Sequence, residues 1–397
     1  MKILYLVSSN LYYFEGAYSN RMIGLFEGMA KRNVEIEFLI TGGCREWKEY
    51  VFHKKYNYPK GISIKYIGLP YQMRIFKKLK FNNFIKWLII NKQKSIQKNT
   101  KFDFGWTTIG LKHDVQFESI ALLKNQGLKI IQNMSEFPSL MLSDFEYQKY
   151  LDSILPKIDI MFLMTKSLIK FYGEQLNNNA ELNHIPMTVD IDRFNKSKSK
   201  SISNNNFVIT YVGLMRNKKD GVDILIKAFA IVVKKFPNVL LKLIGPKKPD
   251  KDYLEQLEII NKENLNDKIE YIGVVSRKKI PELLINSDCL ALARPNSIQA
   301  QFGFPTKLGE YLATGNPIVV TSVGEIPDYL EDGINTFMAK PDNVEDFAAK
   351  ILKVISDIEN AKVVGKRGFQ IANEHFNVNT QSTKIVNVLE ANLNTLG

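Results

Sequence analysis

Lys2-Ile-Leu-Tyr-Leu-Val7 and Val34-Glu-Ile-Glu-Phe-Leu-Ile40 are two short apolar runs, closed by Ser8-Ser9 and by Thr41-Gly42-Gly43. Between them, residues 20 to 31 repeat apolar side chains at helical spacing. Strand, helix, strand in that order predicts an α/β fold with a parallel, doubly wound sheet. The alternation resumes near residues 128–132, 158–164 and 184–189, then breaks at the hydrophilic stretch Asn195 to Asn206, which reads as an exposed linker. It restarts with strands at 207–212, 239–244, 269–272 and 289–292 and helices at 223–236, 254–261 and 280–285.

The chain of 397 residues exceeds what one hydrophobic core usually organises, about 250 to 300 residues. Two domains of similar size are therefore expected, 1–190 and 191–375, with a terminal helical segment, 376–397, crossing back onto the first. Ligands of such sheets bind beyond the carboxyl ends of the strands, so a cleft between facing halves is the expected site.

Composition narrows the class. A chain with 45% hydrophobic and 24% charged residues is a folded protein rather than a disordered or low-complexity one. No apolar run approaches the roughly 20 residues of a membrane span. Two cysteines, Cys44 and Cys289, offer no disulfide framework, and the four histidines lack zinc-site spacing. The apolar start ends without a cleavage-type small-residue site, so the expected location is cytoplasmic.

The net charge of +13 has a local source. From Tyr71 to Phe102 there are nine basic residues, from Arg74 to Lys101, and no acidic one. Phe81, Phe84, Ile85 and Leu88 fall at helical spacing, which predicts an amphipathic helix. Two readings stand: peripheral contact of 74–101 with an anionic membrane surface, worth about 1 kcal/mol per basic residue, or a stripe packed on the core with lysines solvated outside. No nucleic-acid-binding motif accompanies the charge, so no nucleic-acid partner is expected.

The chain has no G-x-G-x-x-G, P-loop or G-x-S-x-G string. Asp190-Ile-Asp192 and Asp250-Lys-Asp252 are candidate divalent-metal strings. The informative stretch is Phe304-Pro-Thr-Lys-Leu-Gly-Glu-Tyr-Leu-Ala-Thr-Gly-Asn-Pro-Ile-Val-Val320. Pro305 ahead of Leu308, Tyr311 and Leu312, with Gly315 behind, has the start and stop signals of a short helix. Its first turn, at Thr306 and Lys307, leaves backbone N–H groups for an anion. Glu310, one turn on, is placed to accept both ribose hydroxyls.

That string resembles the nucleotide-sugar motif of retaining GT-B glycosyltransferases, glycosyltransferase family 4. Other stretches resemble the same family in order: Gly16-Ala-Tyr-Ser-Asn-Arg21, Ile185 to Phe194, Tyr211 to Val222 with Leu225 to Phe229, and Asp267 to Val275. The resemblance implies a GT-B fold, two facing Rossmann-like doubly wound domains with an interdomain cleft. It implies transfer of a sugar from a nucleoside diphosphate, with uridine favoured and guanosine open as the base, to a glycan or lipid-linked acceptor in bacterial surface polysaccharide synthesis, with retention and without a metal or other cofactor.

By the same resemblance, Gly16, Val274, Gly303, Phe304, Thr306, Lys307 and Glu310 line the donor. Arg216 and Lys219 grip its diphosphate, and Glu136, in Met134-Ser-Glu-Phe-Pro138, faces the acceptor as a catalytic residue. Two departures stand out. Phe302 occupies the place of the family's first glutamate, whose role would pass to Gly303, Phe304, Gln299 or Gln301. Arg216 comes three positions after Gly213, displaced from the family's arginine. Two other classes are open, an epimerase of nucleotide sugars on the same fold and a catalytically silent nucleotide-sugar-binding protein.

Overall fold

The computed structural model describes residues 1–14, 16–44, 46–68, 75, 82–176, 180–195 and 206–394. Residues 196–205 of the expected linker and the basic residues Arg74, Lys77, Lys78 and Lys80 lie outside the described residues, as does Phe81. The chain forms two compact units, Met1–Pro186 with Val378–Gly397, and Met187–Asn377.

The first unit is built on a seven-stranded sheet of order β3-β2-β1-β4-β5-β6-β7. Its strands are β1 (Lys2–Val7), β2 (Glu35–Ile40), β3 (Ile62–Tyr66), β4 (Phe104–Thr107), β5 (Lys129–Met134), β6 (Ile160–Leu163) and β7 (Glu181–His184). Neighbouring strands run parallel. Buried nearly throughout, β1 and β6 read as unbroken apolar runs because helices cover both faces of such a sheet. β7 corrects the strand expected at 184–189. The edge strand is Glu181–His184, which is only partly buried. Past it the chain leaves the sheet, and the Ile185 carbonyl accepts a hydrogen bond from Arg21 Nη2 at 2.7 Å. Arg21 also donates from Nη1 to Asn133 Oδ1 at 2.9 Å, and burial lowers its pKa to about 10.

The returning helix Val378–Asn394 lies against the helix Ala17–Ala30. Gly28 makes that approach possible, because a Cβ there would collide with the Ser382 hydroxyl. Ser382 Oγ reaches the Leu25 carbonyl across the contact at 3.2 Å.

The helix in the basic segment is Asn82–Asn99, and it corrects the expected stripe. Its buried residues are Ile89, Ile90, Gln93, Ile96 and Gln97. Phe84 and Trp87 point outward, 41% and 58% exposed, with rings stacked 5.6 Å apart. The buried stripe begins at Ile89, a turn later than the spacing of Phe84, Ile85 and Leu88 suggests, with Ile85 and Leu88 partly buried at its edge.

The second unit carries a six-stranded sheet of order β10-β9-β8-β11-β12-β13. The strands are β8 (Phe207–Val212), β9 (Val239–Ile244), β10 (Ile269–Gly273), β11 (Cys289–Leu292), β12 (Ile318–Thr321) and β13 (Phe337–Ala339). All pairings are parallel, and the order reverses between β8 and β11. In an open α/β sheet that switch point is where loops diverge and ligands enter. The unit begins and ends on adjoining backbone, since Val189 N donates to the Phe376 carbonyl at 2.8 Å. Its limits, 187 and 377, therefore lie just outside the expected 191 and 375.

Candidate active site

Two glycines shape the switch point. Gly245, at φ +154°, follows β9, and a Cβ there would collide with the Gly213 carbonyl oxygen. Gly221, at φ +66°, separates the short helix Asn217–Asp220 from the helix Val222–Lys235, and a Cβ there would collide with the Ala293 carbonyl. The loops after β8, β9 and β11 thus meet backbone to backbone, which only glycine permits.

The helix Thr306–Leu312 forms where the sequence expects it, with Pro305 at its N-cap and no side-chain cap. Three of its side chains reach three other places. Tyr311 Oη accepts the Val212 N–H at the end of β8, at 2.8 Å. Lys307, four residues earlier and so on the same face, lies 2.8 Å from Asp220 Oδ2 and donates to Tyr211 Oη at 2.9 Å. Tyr211 Oη in turn is 2.6 Å from the Leu214 carbonyl and 3.0 Å from Asp220 Oδ2. Burial pushes the Lys307 ammonium below its ordinary value, and the Asp220 carboxylate opposes that shift. Tyr211 is pushed well above its ordinary value, first by burial and then by Asp220.

Glu310 is on the other side of the same helix. Its Oε1 accepts from Arg193 Nη1 at 3.0 Å, and Arg193 Nη2 donates to the Arg277 carbonyl at 2.9 Å. Oε1 is thus already engaged by an arginine, and each carboxylate oxygen retains acceptor capacity for a ligand hydroxyl.

The remaining candidates fall as follows. Lys219 is partly buried on the helix Asn217–Asp220, next to Asp220. Arg216, with a side chain 45% exposed, pairs with Asp250 at 3.0 Å and Asp252 at 3.4 Å. The second Asp-x-Asp string thus faces an arginine. Val274, 77% exposed, stands directly after β10. Gly303 and Phe304 are buried just ahead of the helix, with Phe304 packed edge-on against Tyr329. Thr306 opens the helix and is partly buried. Of the residues nominated to replace the missing glutamate, the Gln299 carbonyl accepts from Arg294 Nη2 at 2.6 Å and Gln301 Nε2 donates to Asn296 at 2.7 Å.

Two candidates belong to the first unit. Glu136 lies two residues past β5, partly buried, ahead of the 3₁₀ turn Pro138–Leu140. Gly16 precedes the helix Ala17–Ala30 in extended backbone, φ 178°, and a Cβ there would meet nothing within 4 Å. Any residue adopts that backbone conformation.

Tyr211, Asp220, Tyr311 and Arg193 were not singled out from sequence. All four lie within quoted stretches, but their partners are remote: Arg193 and Glu310 are 117 residues apart. No spacing rule connects such positions.

Paired Rossmann-like units of this kind define the GT-B class of fold. HepE of Anabaena, solved in complex with UDP, superposes with a TM-score of 0.73 over 98% of this chain and 100% of that one, at 17% identity. Residues 192–371 match the model of the glycosyl transferases group 1. An uncharacterized glycosyltransferase of Methanocaldococcus jannaschii is 27% identical over 344 residues, 86% of each chain. A capsular polysaccharide biosynthesis glycosyltransferase of Staphylococcus aureus, CapM, is 26% identical over 219 residues, 53% of this chain and 50% of CapM. For CapM and most other curated relatives, the chain spans only about half to three-fifths of their length.

Proposed function

We propose that the protein transfers a sugar from a nucleoside diphosphate, with uridine as base, to a hydroxyl of a glycan or lipid-linked acceptor, with retention at the anomeric carbon. The observation that carries this proposal is the double attachment of the helix Thr306–Leu312. Through Lys307 and Tyr311 it holds the segment between β8 and the helix Val222–Lys235, which bears Arg216 and Lys219, and through Glu310 and Arg193 it connects to the loop after β10. One rigid element therefore fixes the groups assigned to the diphosphate and to the ribose.

In this mechanism the bond between the anomeric carbon and the phosphate oxygen breaks through an oxocarbenium-like state. The acceptor oxygen bonds to the same face. Charge develops on the departing diphosphate, so the largest stabilisation comes from Lys219, Arg216 and the first turn of the helix at Thr306. Glu136 is assigned to the acceptor hydroxyl, and no protein nucleophile or metal is needed. The relatives support a surface-polysaccharide setting, since CapM is named for capsular polysaccharide biosynthesis. HepE, whose complex contains UDP, supports the choice of uridine.

The test is incubation with UDP-sugars and a bacterial glycan or lipid-linked acceptor fraction, following UDP release and product mass. Transfer from UDP-sugars, absent with GDP-sugars, is the expected result. Phe302, in place of the family's first glutamate, favours one second reading, a nucleotide-sugar-binding protein without turnover. That reading predicts saturable UDP-sugar binding and no UDP release under any condition.

No helix among the described residues is long and apolar enough to cross a membrane. Association with an anionic membrane surface is proposed through the helix Asn82–Asn99. Support comes from the outward Phe84 and Trp87 and from Lys92, Lys94 and Lys98, exposed on the same helix.

A further inference from the structure

We infer that Arg193 is a positioning residue for nucleoside recognition, setting the orientation of Glu310 and the loop after β10 as one unit. The inference rests on the donor reading above and deepens it.

Arg193 stands on the four-residue helix Asp192–Asn195, at the start of the second unit. From there its guanidinium spans two elements that the sequence keeps far apart. Nη1 donates to Glu310 Oε1 at 3.0 Å and Nη2 to the Arg277 carbonyl at 2.9 Å. The pair is shielded, with side chains only 18% and 25% exposed, so it is more than a solvated surface contact.

A planar guanidinium offers donors in fixed relative directions. When one edge holds a carboxylate and the other holds a loop carbonyl, neither can turn without breaking a bond. Glu310 Oε2 has no hydrogen-bond partner among the described residues, so Arg193 leaves one carboxylate oxygen of defined direction to accept a hydroxyl proton. The loop from Val274 to Lys279 follows β10, where a base would lie, and the Arg277 carbonyl fixes its distance from that oxygen. Arg193 therefore acts through Glu310 and the loop rather than by touching the nucleotide. Discrimination for ribose hydroxyls would depend on it, because an acceptor held in one direction selects a ligand that supplies the donor there.

The experiment is calorimetric titration of the full chain with UDP, 2′-deoxy-UDP and 3′-deoxy-UDP, for the wild type, Arg193→Ala, Arg193→Lys and Glu310→Gln. The wild type should prefer UDP over at least one deoxy analogue. Arg193→Ala should bind UDP about tenfold more weakly and lose most of that preference, as Glu310→Gln does. A variant combining Arg193→Ala with Glu310→Gln, titrated alongside, should cost less than the sum of the two. Arg193→Lys, a point charge that cannot hold both partners in fixed directions, should recover only part of the preference.

Circular dichroism and the melting temperature separate this from unfolding, and inorganic pyrophosphate serves as a probe of the diphosphate end. Retained pyrophosphate binding with lost ribose preference supports the positioning role. An Arg193→Ala variant with the full wild-type preference overturns it, as does a parallel loss of UDP and pyrophosphate binding. If the wild type binds UDP but ignores the ribose hydroxyls, the inference fails while the donor reading stands. If it binds no nucleoside diphosphate, the donor reading itself fails.

Discussion

Lys307 closes onto Asp220, with Nζ 2.8 Å from Oδ2, in a setting where the two side chains are 15% and 3% exposed. The contact joins the start of the helix Thr306–Leu312 to the end of the loop after β8. It also redirects a lysine that the sequence offers as a donor contact. Its side chain is committed to Asp220 and Tyr211, and it braces the segment that follows β8.

Breaking that pair from one side leaves a buried charge without its partner. Asp220→Asn and Lys307→Met are each expected to destabilise the protein by about 3 kcal/mol or more, measured by urea unfolding. Stability unchanged within about 0.5 kcal/mol would mean that the pair is solvated in solution.

Glu310→Ala and Lys219→Ala should each lower transfer by about 10²-fold or more, the scale of losing one charge-stabilising contact. Arg216→Ala should lose less, because Arg216 is already shared with Asp250 and Asp252. Steady-state kinetics rank the three, and near-normal turnover of both Glu310→Ala and Lys219→Ala would remove the site assignment.

Gly245→Ala places a methyl group against the Gly213 carbonyl at φ +154°, where neither backbone can yield easily. A loss of about 2 kcal/mol or more is expected, together with weaker UDP binding, because the β8 and β9 loops separate. By contrast, Gly16→Ala meets open space in an extended backbone and should leave the melting temperature unchanged.

The Asp250 and Asp252 carboxylates face Arg216, and the leaving diphosphate is assigned to cationic side chains. Transfer is therefore expected to be insensitive to EDTA. Loss of activity on chelation, restored by magnesium or manganese, would contradict the metal-free reading.

Lys86 pairs with Glu118 at 2.7 Å, so membrane attraction should depend on the lysines further along the helix Asn82–Asn99. Changing Lys92, Lys94 and Lys98 to Gln should weaken binding to phosphatidylglycerol vesicles by about 1 kcal/mol per lysine, and salt should do the same. Trp87→Ser should weaken it further through the lost apolar insertion. Equal sedimentation of the wild type with neutral and anionic vesicles would reject the proposal.

The fold was legible where strands are buried on both faces. β1, β2, β5, β6, β8, β9 and β11 announce themselves as apolar runs between helical stretches, while β10, nowhere fully buried, shows through its place in the alternation. β3 and β4 do not. β3 alternates buried and exposed residues, and β4 is four residues long with a glycine fitted against Leu123. The edge strand β7 is polar, and the more apolar residues after it carry the stronger strand signal.

The site was legible through local signals. Pro305 and Gly315 mark the helix that carries Glu310, and Lys219 stands in the segment after β8 that the sequence also offers. Its supports were not, because Arg193 with Glu310 and Asp220 with Lys307 are tertiary pairs whose residues look ordinary in their own stretches. Gly16 shows the converse, a loop glycine whose backbone asks nothing of it.

The most direct measurement is a thermal-shift titration of the wild type and Glu310→Ala with UDP, GDP and their sugars. A ligand at a hundredfold its Kd stabilises by about 2.7 kcal/mol, enough to move the melting temperature visibly. UDP and UDP-sugars are expected to raise the melting temperature of the wild type, GDP to do so weakly or not at all, and Glu310→Ala to lose the response. A wild type that no nucleoside diphosphate or nucleotide sugar stabilises, or a Glu310→Ala variant that responds as the wild type does, would contradict the assignment of this site to a nucleotide-sugar donor.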